Sequence, residues 1–107
     1  MGLQAVKLLD GATATGAGDV TAIDKAGQRN FFLTGLVTAS TGAASVNVEG
    51  SNDNVNWLSL GNISLTLGTT VTADTLNSEA LFKYVRGNVV SISGTGASVT
   101  LWATYPT

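Results

Sequence analysis

Apolar and polar residues alternate along most of this chain, and that period of two constrains its fold more than any other feature. Val46 and Val48 share one face of a short segment, with Ser45, Asn47 and Glu49 on the other. Near the end, Val99, Leu101, Ala103 and Tyr105 alternate with Thr100, Trp102 and Thr104. Successive side chains of a strand point to opposite faces, so both segments read as half-buried strands. Phe31–Thr38 has large residues on both faces, as a strand sandwiched between layers would. Helical spacing is hard to find, and only Ala73–Ala80 has room for a helical turn.

The punctuation agrees. Asp10-Gly11, Gly16-Ala17-Gly18, Thr41-Gly42, Gly50-Ser51-Asn52-Asp53-Asn54 and Ser93-Gly94-Thr95-Gly96 mark turns between apolar runs. Such signals recur about every 8–12 residues, the spacing of a sandwich or barrel. The expected strands are Leu3–Leu9, Val20–Asp24, Asn30–Ala39, Ser45–Glu49, Trp57–Leu60, Ile63–Thr66, Thr69–Thr72 with its continuation, and Leu81–Ile92 followed by Ser98–Tyr105. Gly87 is the expected bulge of the long strand, and Pro106 lies past the last one. The predicted fold is therefore all-β, an antiparallel β-sandwich of about eight strands, jelly-roll or Ig-like.

A chain of 107 residues fits one domain. Within it, residues 1–19 read as an N-terminal strand or arm and residues 20–107 as the sandwich. The Gly/Ala/Thr-rich stretch Asp10–Asp19 is either a flexible connector or part of an arm that orders against a neighbouring subunit.

Composition bears on function. The chain has no Cys and no His, which removes thiol chemistry, the commonest general base and the commonest metal ligand together. Only 11% of residues are charged, against about 25% in an ordinary soluble domain. A surface this poor in charge is easier to understand if much of it touches partners. Net charge is −2, and five basic residues scattered along the chain form no patch to neutralise phosphates; no nucleic-acid partner is expected. No apolar run approaches the roughly 18 residues of a membrane span, and Met1–Leu9 does not read as a signal peptide. The expectation is a soluble protein made in the cytoplasm of its host, with no membrane partner.

No motif supplies catalysis. Gly11–Gly18 is followed by Asp19, where a phosphate loop needs a Lys, and Gly16-Ala17-Gly18 lacks the third Gly of a dinucleotide fingerprint. Glu49, Asp53, Asn52, Asn54 and Asn56 concentrate oxygen atoms, but a calcium site needs about six to eight ligands with several carboxylates. A turn in which Asn and Asp bond their own backbone explains this loop better. Without His there is no serine triad, and nothing marks a carboxylate pair. No enzyme activity, cofactor or metal is expected. Trp57 follows the turn and is expected to be buried against the sheet. Trp102 lies on the face opposite Val99 and Leu101, so it is the better interface candidate. Asn62-Ile63-Ser64 matches the glycosylation triplet, which means little without a signal peptide.

Val46–Trp57 (VNVEGSNDNVNW) with Phe82–Arg86 (FKYVR) resembles discoidin-like jelly-roll domains, in which a strand enters a Ser/Asn-Asp-Gly turn closed by a Trp and a later strand carries an aromatic-Val-Arg core. Asn54 stands where that turn usually has Gly, and the galactose-binding loops of those domains have no match here. A second resemblance covers nearly the whole chain. Leu8–Asp19 (LLDGATATGAGD), VNVEGSNDNVNW and Ala80–Trp102 (ALFKYVRGNVVSISGTGASVTLW) together are similar to small β proteins among the structural proteins of tailed bacteriophages. That resemblance implies a virion component, foremost a capsid decoration or cement protein that stabilises the head shell. Its implied partners are the major capsid protein and further copies of itself, with a homotrimer favoured because it fits local three-fold positions of an icosahedral shell. The alternatives are a tail, neck or fibre component, or a carbohydrate- or receptor-binding module. Asn52, Asp53, Asn54 and Trp102 are the candidate partner- or ligand-contact residues.

Overall fold

The computed structural model describes residues 2–23, 29–78 and 82–106. Among these, nine strands form two antiparallel sheets: β1 (Leu3–Ala12), β2 (Gly16–Ala17), β3 (Thr21–Ala22), β4 (Arg29–Leu36), β5 (Ala39–Ser51), β6 (Leu58–Leu67), β7 (Thr72–Ser78), β8 (Tyr84–Thr95) and β9 (Ser98–Pro106). Sheet A has the order β1-β9-β4-β7, and sheet B the order β2-β8-β5-β6 with β3 also on β8. No helix among the described residues is long and apolar enough to cross a membrane.

The alternation does what it predicts. Phe31 and Leu33 of β4, Val46 and Val48 of β5, Ile63, Leu65 and Leu67 of β6, and Val99 and Leu101 of β9 all turn inward and are buried. Their neighbours Ser45, Asn47, Asn62, Ser64 and Thr100 turn outward. One core fills the space between the sheets, so one face of each sheet is left to solvent or to partners.

Connectivity decides between the two expected sandwich types. The two-residue strands β2 and β3 lie along β8, with Gly16 and Ala17 opposite Val89 and Asn88, and Thr21 and Ala22 opposite Val85 and Tyr84. Taken as one interrupted strand, they leave eight strands whose chain crosses from sheet to sheet at nearly every connection. The order β1-β9-β4-β7 against β2/β3-β8-β5-β6 is that of a jelly roll.

Several sequence expectations are corrected. The expected strands Trp57–Leu60 and Ile63–Thr66 merge into one, β6, which starts at Leu58 and leaves Trp57 outside it, because the pairing passes from Val48–Gly61 to Glu49–Ser59 with Leu60 as an extra residue. A bulge at Leu60 thus carries the strand through the break expected between Leu60 and Ile63. In β8 the extra residue is Val90, between the pairs Ser45–Ser91 and Val46–Val89; Gly87 stays in register opposite Val48. Residues 72–78 form strand β7 and no helical turn, since β4 offers a free edge to pair. Expected positions Asp24, Glu79, Ala80 and Leu81 lie outside the described residues. Pro106 is the last residue of β9, opposite Leu3.

Residues 3–19 are drawn into both sheets, through β1 in one and β2 in the other. Within Asp10–Asp19, Gly18 has a steric reason to be small. Gly18 donates its N–H to the Gly87 carbonyl at 2.8 Å, and a Cβ there would run into the carbonyl oxygen of Leu8. Below this crossing lies an open cavity of about 290 Å³, lined by Leu8–Asp10, Ala12 and residues 14–19.

Candidate functional site

The loop between β5 and β6 is organised from within. Ser51 Oγ donates to Asp53 Oδ1 at 2.9 Å and accepts the N–H groups of Asp53 and Asn54 at 3.3 and 3.0 Å. Asp53 Oδ1 also accepts the N–H groups of Val55 and Asn56 at 2.9 and 2.8 Å, and Oδ2 accepts Asn56 Nδ2 at 2.7 Å. The backbone donors of Asn56 and Val55, then the side chains of Asn56 and Ser51, hold the Asp53 carboxyl well below the ordinary Asp range. Asn54 has φ +60°, a left-handed conformation that Asn tolerates better than most residues; this accounts for Asn where the discoidin-like turn has Gly. Asn52 Oδ1 accepts the Lys83 N–H at 3.2 Å and ties the loop to the segment before β8. These bonds are those of a self-bonded turn. Among the described residues no group of three or more His, Cys, Asp or Glu side chains is placed to hold a metal ion.

Trp102 lies far from this loop in the fold, on the outer face of sheet A. There Lys7, Trp102, Phe32 and Thr75 are opposite one another on β1, β9, β4 and β7 and form one row. Lys7 Nζ sits 4.9 Å from the centroid of the Trp102 ring, within cation–π reach, and 3.5 Å from Asp10 Oδ1. Phe32 is 41% exposed, so β4 is not sandwiched on both faces as expected: Phe31 is core and Phe32 is surface. Leu3, 75% exposed, extends the apolar character of the face beside Pro106. Lys7 and Asp10, which pair with each other, are the charged side chains of this face on β1.

The outer face of sheet B is different in kind. Arg86 Nε donates to Glu49 Oε1 at 2.7 Å, and Asn88 Nδ2 donates to Glu49 Oε2 at 3.3 Å. The Trp57 ring covers the guanidinium at 4.1 Å. Trp57, expected to be buried against the sheet, is half-buried on the outer face of sheet B, in contact with a cation and outside the core. Asn62, Asn47 and Asn88 stand directly opposite one another on β6, β5 and β8. Asn62 Nδ2 donates to Ser45 Oγ at 2.8 Å and to Asn47 Oδ1 at 2.9 Å, and Asn62 Oδ1 accepts from Ser64 at 2.8 Å.

The structure thus separates Asn52, Asp53 and Asn54 from Trp102. It adds Lys7 and Phe32 to the Trp102 face, and assembles a polar group around Glu49 and Arg86 that the sequence alone did not single out. The only sequence signal for either face was outward alternation, which says which residues share a side of one strand but not which strands are neighbours.

No model of a protein family matches the sequence, and no curated protein matches it. Among solved structures, one described as "CBM4 structure and function" aligns with 96% of this chain and 66% of its own, at 10% identity and a TM-score of 0.49. A likeness this distant says nothing of what this chain binds.

Proposed function

We propose that this chain is a structural protein of a tailed-bacteriophage virion, a decoration or cement protein that binds the head shell as a homo-oligomer and stabilises it. The observation that carries the proposal is the outer face of sheet A, where Trp102, Phe32 and Leu3 are presented beside one mutually paired couple of charges, Lys7 and Asp10. Contact surfaces favour aromatic side chains and are depleted in charge at their centre. The order of motifs shared with small virion β proteins points the same way. The jelly roll is compatible with it, since viral shell proteins use this architecture, but lectins use it too, so the fold alone does not choose.

Many weak copies spread over a shell resist its expansion collectively, and oligomerisation multiplies the affinity of each contact. A wet interface of modest strength per copy is sufficient for that role. The test is co-sedimentation of the purified chain with shells that lack it. Wild type is expected to sediment with the shells, and the pair Phe32→Ser, Trp102→Ser to bind at least about tenfold more weakly, as loss of central aromatic anchors does. Wild type remaining in the supernatant, or the double variant binding equally well, contradicts the proposal.

A further inference from the structure

The polar face of sheet B is unlike the face assigned above to shell contact, and its chemistry fits a different class of ligand. We propose that it is a binding platform for neutral oligosaccharide, built on Asn62, Asn47 and Asn88 and bounded by Trp57, Arg86 and Glu49. The three asparagines form a straight line across adjacent strands, which at about 4.8 Å per strand spacing spans about 10 Å.

A sugar hydroxyl both donates and accepts hydrogen bonds, and a primary amide does the same from one planar group. Part of this amide set is used to fix its own geometry. Asn62 is locked by its bonds to Ser45, Asn47 and Ser64, and Glu49 fixes both Arg86 and Asn88. What remains points outward. Among the described residues Asn47 Nδ2, Asn88 Oδ1 and the terminal nitrogens of Arg86 have no protein hydrogen bond, and none of these atoms is buried. Donors and an acceptor are thus held in fixed positions before any ligand arrives, which lowers the ordering cost of binding.

Charge selects the class of sugar. The one cation of the group, Arg86, is paired to Glu49 at 2.7 Å, so the platform offers no net charge to a sulfated, phosphorylated or uronic chain. Trp57, half-buried on the same side of sheet B as Arg86, supplies the aromatic surface against which the C–H face of a pyranose packs; Tyr84 lies outside the platform, with Lys83 Nζ 5.7 Å from its ring centroid. The platform does not depend on the virion reading: it lies on the opposite sheet and shares no residue with the Trp102 row.

Isotope-labelled protein titrated with cellohexaose, maltohexaose, xylohexaose and chitohexaose, with a heparin hexasaccharide as the anionic comparison, tests the proposal by NMR. At least one neutral sugar is expected to shift the backbone and side-chain amide signals of Asn47, Asn62 and Asn88. The pair Asn47→Ala, Asn88→Ala, which removes outward groups and leaves the core untouched, is expected to weaken that binding about tenfold or more. The pair, which loses the bonds of Asn47 to Asn62 and of Asn88 to Glu49, should still melt cooperatively well above the temperature of the titration, and Trp102→Ala should bind as wild type does. The proposal is overturned if no neutral sugar produces shifts, if the shifts map to sheet A, if heparin binds more tightly than every neutral sugar, or if the folded double variant binds unchanged.

Discussion

Asp53 accepts hydrogen bonds through both oxygens of its carboxylate, and its engagement is local. Every partner of its carboxylate lies within three residues: Ser51, Val55 and Asn56. These donors hold its folded-state pKa below the ordinary value, so their contribution is fully present above about pH 4 and fades as pH falls through the depressed folded value. A carboxyl NMR titration is expected to find the Asp53 midpoint below the ordinary Asp range. Asp53→Asn keeps the shape and removes the charge, so stability of the variant should fall less steeply on acidification; equal slopes for the two proteins contradict the assignment. This turn was legible in the sequence because Ser, Asp and Asn at short spacing bond their own backbone. Trp57 was not, because its partner Arg86 comes from β8, and Arg86 is placed by Glu49, 37 residues away along the chain. Phe32 was misread for a related reason: large residues on both faces of β4 imply two covered faces only if something covers the second.

At the scale of elements, β8 is the strand on which sheet B depends, pairing with β2, β3 and β5. Its inward Gly87 lets two core leucines approach: a Cβ there would stand 2.6 Å from Leu101 Cδ2 and 3.0 Å from Leu9 Cδ1. Leu101, the nearer of the two, is fully buried and cannot swing aside into open space. Gly87→Ala is therefore expected to destabilise the fold by about 1–3 kcal/mol, the usual cost of overpacking a core. Urea denaturation should show a lower midpoint with an unchanged slope; an unchanged midpoint contradicts this packing. Strand existence was readable from period-two alternation in β4, β5 and β9. Strand boundaries were not, because bulges at Leu60 and Val90 interrupt the alternation without ending the strand. For β7 the expected strand, Thr69–Thr72 with its continuation, lies too early: the strand runs Thr72–Ser78, because its exposed residues carry little alternation and its bounds are set by pairing with the edge of β4.

For the whole molecule, the jelly-roll order places two outer faces of contrasting chemistry on opposite sides of a body measuring 41 × 31 × 17 Å. Local pattern identified a sandwich but left jelly roll and Ig-like topologies open, since strand order is a property of long-range pairing. The scarcity of charge takes on a spatial meaning once the sheets are assembled. Among the described residues, on sheet A it leaves an aromatic face beside the Lys7–Asp10 pair, and on sheet B it leaves the Arg86–Glu49 pair amid neutral amides. The central claim, that the chain is a part of the virion shell, is tested most directly by its copy number in purified particles, measured by quantitative mass spectrometry against the major shell protein. A decoration protein is predicted to be present in hundreds of copies, in simple proportion to the shell subunit; a few dozen copies, or none, would contradict that account.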